Sequence, residues 1–352
     1  MLAFGKGDGE IMSEITTNVE LIIACLRAGD VAAIPTETVY GLAGSALDQK
    51  AINKIYSLKN RPLTHPLIMH IAKNWELTQW VSMIPDYVYI LIEHFWPGPL
   101  TIVGNCTQAI NPLITGGQTT VALRSPAHPL AVEILTKLGS PLVAPSANKF
   151  GKISPTTAAH VQQSFAQEPL LILDGGRCKV GIESTIILAT ANDHYQILRH
   201  GTISATAINA VLANHGGSDL KYVENTVIYQ QEIANKINIP GSMAVHYQPQ
   251  KPLYYFTNGK SLAQFCQQAA CSIYALTFSN NLITYAQFNY CFPSSSTKTA
   301  FEFYYRLRSA DASDATLIAA ELPSKTAEWA GIYEKLIKAG LPGASFIDEN
   351  KI

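Results

Sequence analysis

Between Val19 and Leu212, short apolar runs end in proline, glycine or small polar residues and alternate with stretches whose apolar residues recur at helical spacing. That alternation excludes an all-helical bundle and an all-β sandwich, and predicts strands carried by helices. Asn18 is positioned to cap a helix over Val19–Ala28, which Gly29 ends. Val31–Ile34, stopped by Pro35, reads as a buried strand. Asp48–Leu58 reads as a helix with Ala51, Ile52, Ile55 and Leu58 on one face. Further strands are expected at Leu67–Ile71, Leu100–Val103, Thr119–Leu123, Leu142–Ala144, Leu170–Leu173 and Thr185–Leu188, with helices at Pro129–Leu138 and Thr156–Phe165. The expected fold class is α/β, a twisted mixed sheet with flanking helices.

Near Ala213 the texture changes. Gly216-Gly217-Ser218, Pro240-Gly241-Ser242 and Pro249 mark a turn-rich connection. A smaller α/β pattern follows: a strand at Leu253–Phe256, a helix near Ser261–Ala270, a strand at Ser272–Phe278, and helices near Ala300–Ala310 and Lys325–Ala339. The expected organisation is a flexible N-terminal arm over 1–17, a first domain over 18–212, a linker over 213–251 and a second domain over 252–352. Of the 352 residues 47 % are hydrophobic, enough for two packed cores. Only 14 % are charged and the net charge is −1, which argues against a basic nucleic-acid coat or a membrane-surface binder. No apolar run is long enough for a bilayer, and Met1–Glu10 lacks the apolar core of a secretory signal. Six scattered cysteines, with no CxxC pair, suit reduced thiols in a cytoplasmic protein.

In so charge-poor a chain the remaining cations stand out. The usual nucleotide loops are missing, and the first strand runs into Thr36-Glu37-Thr38 rather than a glycine turn. Any phosphate must therefore be held by side chains, and four segments carry suitable ones. Pro35–Leu42 (PTETVYGL) sets Thr36, Thr38 and the Tyr40 ring at a sheet rim, where α/β proteins bind ligands, or else forms a threonine turn with a packing tyrosine. Lys59-Asn60-Arg61-Pro62 closes a helix. Its cations either complement the helix C-terminus or, with Pro62 holding the chain extended, point together at a polyphosphate. His70 reads as a satisfied core histidine or as a ligand group. Thr120, Ala122 and Arg124 share one strand face, and Arg124 either lies at the surface or grips a carboxylate through two parallel bonds. Val143–Thr156 offers small residues at a strand end, with Ser146, Asn148 and Ser154 as donors; Ser154 or Thr156 equally suits a helix cap. Asp174-Gly175-Gly176 and Gly181–Thr185 add a tight loop with hydroxyls.

In this order, PTETVYGL, KNRP, PLIMHI, VALRSPAHP, APSAN…SPT, LDGG and GIESTI resemble the L-threonylcarbamoyladenylate synthase family over about Val19–Leu212. The string PGSMAVHYQP at Pro240–Pro249 resembles the linker of that family's two-domain form. The resemblance implies a YrdC/RibB-like catalytic sheet and a Rossmann-like accessory domain. It also implies a nucleotidyltransferase that turns ATP, L-threonine and bicarbonate into threonylcarbamoyl-AMP and pyrophosphate. That product feeds N6-threonylcarbamoyladenosine formation on tRNAs that read ANN codons. By position, Thr36, Tyr40, His70, Arg124, Ala144 and Ser184 are expected to hold threonine. Lys59, Arg61, Thr120, Ser146, Asn148, Ser154, Arg199 and Tyr247 are expected to hold ATP, with Lys59 and Arg61 catalytic. The implied cofactor is magnesium, held mainly through ATP, and the implied partner is the downstream tRNA threonylcarbamoyl transferase machinery, with direct tRNA contact left open. The linker is the expected lid. His200 and Ala189 stand where the family usually has proline and aspartate, and its glycine-rich helix near the end is reduced to Ala330-Gly331-Ile332-Tyr333.

The chemistry asks for little that the residues do not offer. A carbamate oxygen attacking the α-phosphorus needs positioning and positive charge at the leaving group more than a nucleophile from the protein. Two other readings stand beside this one. A non-catalytic RNA-binding module could use the same basic pocket, against which the near-neutral net charge weighs. A carbamoyl transferase could serve a different acceptor.

Overall fold

The computed structural model describes residues 12–191, 194–215, 221–223, 238–241, 246–278 and 283–344. Most of the expected arm and part of the expected linker, including Ser242–Val245, lie outside the described residues. The chain divides into two compact units. One comprises Met1–Phe150, Pro155–Lys179 and Glu183–Ser242; the other comprises Gly151–Ser154, Val180–Ile182 and Met243–Ile352. No helix among the described residues is long and apolar enough to cross a membrane.

The first unit is built on one sheet. Its strands are β1 (Glu14–Thr16), β2 (Ala32–Ile34), β3 (Gly41–Ser45), β4 (Ile68–His70), β5 (Leu100–Asn105), β6 (Thr120–Arg124), β7 (Leu142–Val143), β8 (Leu171–Leu173), β9 (Thr185–Leu188), β10 (His194–Arg199) and β11 (Lys221–Val223). They lie in the order β1-β8-β2-β3-β7-β4-β6-β5-β9-β10-β11. Pairs β1/β8, β2/β8, β4/β6, β5/β9 and β10/β11 are parallel, and the rest antiparallel, so the sheet is mixed as the alternating pattern implies.

Four strands of this sheet are not expected from the sequence: β1, β3, β10 and β11, the last inside the stretch read as a linker. Glu14–Thr16, inside the stretch read as an arm, pairs with Leu171–Leu173 as β1. Gly41–Ser45, read only as part of a binding loop, forms β3. Its small residues are a packing requirement: a side chain at Gly44 would press on Ile55, Val31 and Ala51, and one at Gly41 on Ala144.

Helices α1 (Val19–Arg27), α2 (Gln49–Lys59), α3 (Asp86–Phe95), α4 (Pro112–Thr115), α5 (Pro129–Leu138), α6 (Ala158–Ser164) and α7 (Ala205–Asn214) flank the sheet. Their ends follow local chemistry. Asn18 accepts from Leu21 N at the start of α1, and His128 caps α5 with Pro129 in its first turn and left-handed Gly139 at its end. Strand β6 separates the layers by its alternation. Val121 and Leu123 enter the large core with Ile52, Ile55 and Leu91, whereas Ala122 joins Ile68, Val103, Ile186, Leu188 and Ile239 in a small cluster on the opposite face. Thr120 and Arg124 flank Ala122 on that second face.

The second unit holds β12 (Leu253–Phe256), β13 (Ile273–Thr277), β14 (Phe288–Cys291), β15 (Leu317–Glu321) and β16 (Leu341–Pro342), with α8 (Gly259–Gln268), α9 (Ser296–Asp311) and α10 (Ala330–Ala339). All its strand pairs are parallel, in the order β14-β13-β15-β12-β16. This is the parallel, helix-flanked sheet expected. Its order is its own: β15 separates β12 from β13, which are neighbours in the commonest dinucleotide-binding order. Leu262 and Phe265 of α8 pack on Tyr254, Phe256, Ile273, Ala275, Leu317 and Ala319.

Gly181 shows how tightly this unit holds its short segments. At φ +86° a side chain there would lie 2.3 Å from Ala300 O and 2.6 Å from Phe301 Cα. Gly181→Ala should therefore lower stability by about 2 kcal/mol or more, read as a lower thermal midpoint. An unchanged midpoint would show that the loop moves freely off α9.

Candidate active site

Main-chain hydrogen bonds tie the polar segments together before any side chain is considered. Leu42 N donates to Pro145 O at 2.7 Å, Ala147 N to Tyr40 O at 2.8 Å, and Tyr40 N to Pro155 O at 2.9 Å. Phe150 N donates to Lys59 O at 2.8 Å. His70 and Arg124 are paired across β4 and β6, and Ala144 N reaches Ile68 O at 3.3 Å.

Arg124, expected to meet a ligand carboxylate, meets Glu37. Nη2 donates to Glu37 Oε1 at 2.6 Å and Nε to Gly98 O at 3.2 Å, while Ala127 N donates to Glu37 Oε2 at 2.9 Å. Both side chains are buried. Burial alone would raise the Glu37 pKa. The Arg124 charge, its hydrogen bond and the Ala127 N–H together outweigh that and hold the carboxyl below its ordinary range. Arg124 Nη1 makes no hydrogen bond among the described residues, so one edge of the guanidinium is left for a second acceptor. Thr36 forms the threonine turn of the alternative reading: Oγ1 donates to Val39 O at 2.6 Å and accepts from Thr38 N at 3.2 Å. That turn aims Glu37 at Arg124.

His70 is buried with Nδ1 3.3 Å from Ile68 O, so Nδ1 carries the proton and Nε2 keeps its lone pair. Burial, then the Arg124 charge, pushes its pKa down to about 3, and the ring is a neutral acceptor. Beyond β9, Ser184 Oγ lies 2.7 Å from Thr101 Oγ1 and accepts from Arg199 Nη2 at 3.0 Å. Arg199 also donates from Nε to Ser184 O at 3.1 Å and from Nη1 to Pro240 O at 3.0 Å. The His200 and Ala189 departures leave these bonds of Arg199 intact.

Lys59 and Arg61 come together differently from the expected extended segment. Lys59 ends α2, and Asn60 turns the chain in a left-handed cap at φ 53°. Lys59 Nζ, 1 % exposed, donates to Asn148 O at 2.6 Å and to Ser146 O. Arg61 donates from Nε to His65 O at 3.1 Å and from Nη2 to Pro66 O at 2.7 Å, with its guanidinium 5.4 Å from the Phe150 ring centroid. Burial, followed by the nearby charges of Arg61 and Lys149, drives the Lys59 pKa well below that of an ordinary lysine. Asn148 Nδ2 donates to Lys149 O at 2.8 Å. The hydroxyls of Ser146 and Thr120 make no hydrogen bond among the described residues.

Other expected residues do different jobs. Tyr40 is fully buried; its hydroxyl donates to Gly176 O at 2.8 Å and accepts from Gly175 N at 3.1 Å, so it shapes the loop instead of facing solvent. Burial pushes its phenol pKa up. Ser154 and Tyr247 fall in the second unit, where the buried Tyr247 ring lies 5.7 Å from Tyr304 and 5.7 Å from Lys335 Nζ. Three structural partners were not singled out from the sequence: Glu37, Thr101, and Lys149, which pairs with Glu168 at 2.8 Å. The carboxylate between two threonines was visible in PTETVYGL, but only topology brings Arg124 to it.

These shifts fix a pH dependence. Glu37, held low, contributes stability that is full above its unfolded value of about 4.5 and drains as pH falls below it. The unfolded chain protonates His70 near pH 6.5 and the folded one does not until about 3, so stability also falls as pH drops from about 6.5 toward 3, at about 1.4 kcal/mol per unit. Urea titrations between pH 7 and 5 should show that slope, and His70→Gln should remove about one proton's worth of it. An unchanged slope in the variant would refute the neutral, buried assignment.

Comparison with known proteins agrees with the order of the segments. The family model Sua5/YciO/YrdC, described as telomere recombination, matches residues 24–201, and the model for the threonylcarbamoyl-AMP synthase C-terminal domain matches residues 203–340. The chain is 35 % identical to threonylcarbamoyl-AMP synthase of Bacillus subtilis, over 94 % of this chain and 96 % of that protein. It is 36 % identical to the Pyrococcus abyssi enzyme of the same name, over 66 % of this chain and 65 % of that one. The crystal structure of P. abyssi Sua5 complexed with L-threonine superposes with a TM-score of 0.80 at 29 % identity, covering 93 % of this chain and 96 % of that chain. With both halves matched in sequence and the whole matched in fold, the chain belongs to the threonylcarbamoyl-AMP synthase family.

Proposed function

We propose that this protein is a threonylcarbamoyl-AMP synthase, a nucleotidyltransferase that uses ATP, L-threonine and bicarbonate and releases pyrophosphate, in support of tRNA N6-threonylcarbamoyladenosine formation. The observation that carries the assignment of roles is a pair of buried cations, Lys59 and Arg199, whose partners among the described residues are neutral oxygens. A buried cation facing only carbonyls and hydroxyls is costly until an anion joins it. A triphosphate is such an anion.

In this reading the threonine carboxylate docks on the open Nη1 edge of Arg124, which Glu37 holds in orientation. His70 Nε2 accepts from the threonine ammonium or hydroxyl. Ser184, fixed by Thr101 and Arg199, adds a polar wall, and the Ala144 backbone and the Thr36 turn close the sides. The phosphates lie toward Lys59, Arg61, Ser146 and Asn148, with Thr120 and Arg199 as further nucleotide contacts; Ser154, fully buried within the second unit, is assigned no contact in the present arrangement. Tyr40 acts through the Gly175-Gly176 loop. Tyr247 would join the nucleotide only on leaving its packing against Tyr304, so we assign it no contact in the present arrangement.

The donors gathered around Lys59 are cationic or hydroxylic, a set suited to phosphate oxygens. Magnesium would be held mainly by the triphosphate itself, and there it would neutralise part of the phosphate charge. The threonine amine and bicarbonate give a carbamate with loss of water. The carbamate oxygen then forms a bond to the α-phosphorus as the bond to the pyrophosphate oxygen breaks. Lys59 and Arg61 hold the departing pyrophosphate, a purely electrostatic task of the kind that dominates phosphoryl chemistry. The product would pass to tRNA threonylcarbamoyl transferase machinery. No disulfide joins the six cysteines, which accords with a cytoplasmic setting.

Purified protein with ATP, threonine and bicarbonate should release pyrophosphate and form a threonine-dependent adenylate detectable by mass spectrometry. Absence of that product from a folded sample, together with salt-sensitive RNA binding, would favour the RNA-binding module instead. Lys59→Met should cut turnover about a hundredfold or more and also lower the thermal midpoint, because Ser146 O and Asn148 O lose their donor. Turnover at the wild-type level would remove Lys59 from the mechanism.

A further inference from the structure

We propose that Lys149 is a positioning residue for Lys59, locking the end of α2 against the loop Ser146–Phe150, and that Glu168 sets how strongly the Lys149 charge is felt there. The proposal rests on the reading in which Lys59 holds the departing pyrophosphate. Lys59, Arg61, Lys149 and Glu168 all belong to the first unit.

A helix leaves its last four carbonyls without donors of its own. At the end of α2 the following turn satisfies two of them: Arg61 N donates to Tyr56 O and Asn60 N to Ser57 O, each at 3.0 Å. The other two take donors from the loop after β7. Lys149 Nζ donates to Leu58 O at 2.8 Å, and Phe150 N to Lys59 O at 2.8 Å. The exchange runs the other way as well, because Lys59 Nζ donates to the loop carbonyls of Ser146 and Asn148. Each lysine thus tethers the segment that carries the other. The third N–H of Lys59 meets no acceptor among the described residues, so the ammonium is fixed by two bonds and keeps one donor for an anion.

Lys149 is itself held on two further sides. Its Nζ pairs with Glu168 Oε1 at 2.8 Å and lies 4.9 Å from the ring centroid of the buried Phe165, which ends α6. Glu168 N donates to Phe165 O at 3.0 Å, which fixes the segment carrying the carboxylate. The charged groups that face Lys59 are Arg61, just past its own helix, and Lys149, from the loop. After burial, these two charges oppose its protonation. Glu168, in contact with Lys149, offsets part of that second charge. Lys149 and Glu168 therefore act on Lys59 in opposite senses. Without Lys149, Lys59 binds its proton more tightly; without the Glu168 charge, Lys149 acts unopposed and Lys59 releases its proton at lower pH. A merely structural ion pair shows no such opposition, since loss of either partner breaks the same contact.

The test uses the full-length chain, with inorganic pyrophosphate as the probe. Its affinity is measured by calorimetry over about pH 6 to 10 for wild type, Lys149→Met, Lys149→Arg, Glu168→Gln and Lys59→Met, alongside kcat/KM for ATP. Ionisation of probe and substrates is common to every variant, so displacements between variants report the protein. Anion binding is lost as pH rises through the Lys59 pKa, which gives an alkaline limb. Lys149→Met should weaken pyrophosphate about tenfold on the acid side and move that limb up by about half a pH unit. Glu168→Gln keeps an acceptor for Lys149, so it should lose less on the acid side and move the limb down by a similar amount. Lys149→Arg, which keeps the charge, should return the limb to its wild-type position, and Lys59→Met should abolish it. Displacement of both limbs in one direction, no displacement in either, or a limb that survives in Lys59→Met would overturn the proposal. If Lys149→Met does not fold, Glu168→Gln decides, and an undisplaced limb there refutes it. Wild type that neither binds pyrophosphate nor forms the adenylate would sink the nucleotidyltransferase reading itself, whereas wild type that does both beside undisplaced variants sinks only this inference.

Discussion

The buried ion pair between Glu37 and Arg124 is the joint on which the first unit's polar face depends. One partner follows β2 and the other ends β6, strands well separated in the sheet, and the pair brings them within a hydrogen bond. A lone charge at either position would be strongly destabilising, so the two must be made and kept together. The pair also does chemical work. It locks the guanidinium plane, leaves Nη1 uncommitted, and supplies the positive charge that helps keep the neighbouring His70 ring neutral. A rigid cation beside a neutral acceptor suits an amino acid, whose carboxylate and ammonium ask for opposite partners.

The other end of the polar face follows a different logic. Lys59, Arg61 and Lys149 crowd together, and Lys149 pairs with the Glu168 carboxylate. Lys59 is used by the fold, through Ser146 and Asn148 carbonyls, and by the proposed chemistry at once. A single residue with both tasks makes the bland and the functional readings of KNRP complementary, not competing.

Much of this was legible in the sequence. The expected elements, such as the helix over Val19–Ala28 and the strand over Val31–Ile34, came from periodicity and from Asn18, Gly29 and Pro35, which act locally. The candidate residues were legible as polar interruptions of apolar strands in a chain with few charges. What escaped depends on distant partners. Glu37 could not be matched to Arg124 without the strand order, and the carbonyls that hold Lys59 lie in a loop nearly ninety residues away. Gly41–Ser45 escaped as a strand because its propensity is poor and only close packing under α2 makes it one. The Lys59–Arg61 geometry was misjudged because Asn60 adopts a left-handed cap, which sequence spacing does not reveal.

The second unit borrows Gly151–Ser154 and Val180–Ile182 from the middle of the polypeptide. The two units are therefore interleaved in sequence, and no single cut separates them. On the ribosome, where synthesis runs from the N-terminus, the loops around Ser154 and Gly181 emerge long before α9, which must seat them. The nascent protein thus reaches its final arrangement around these loops only near the end of translation.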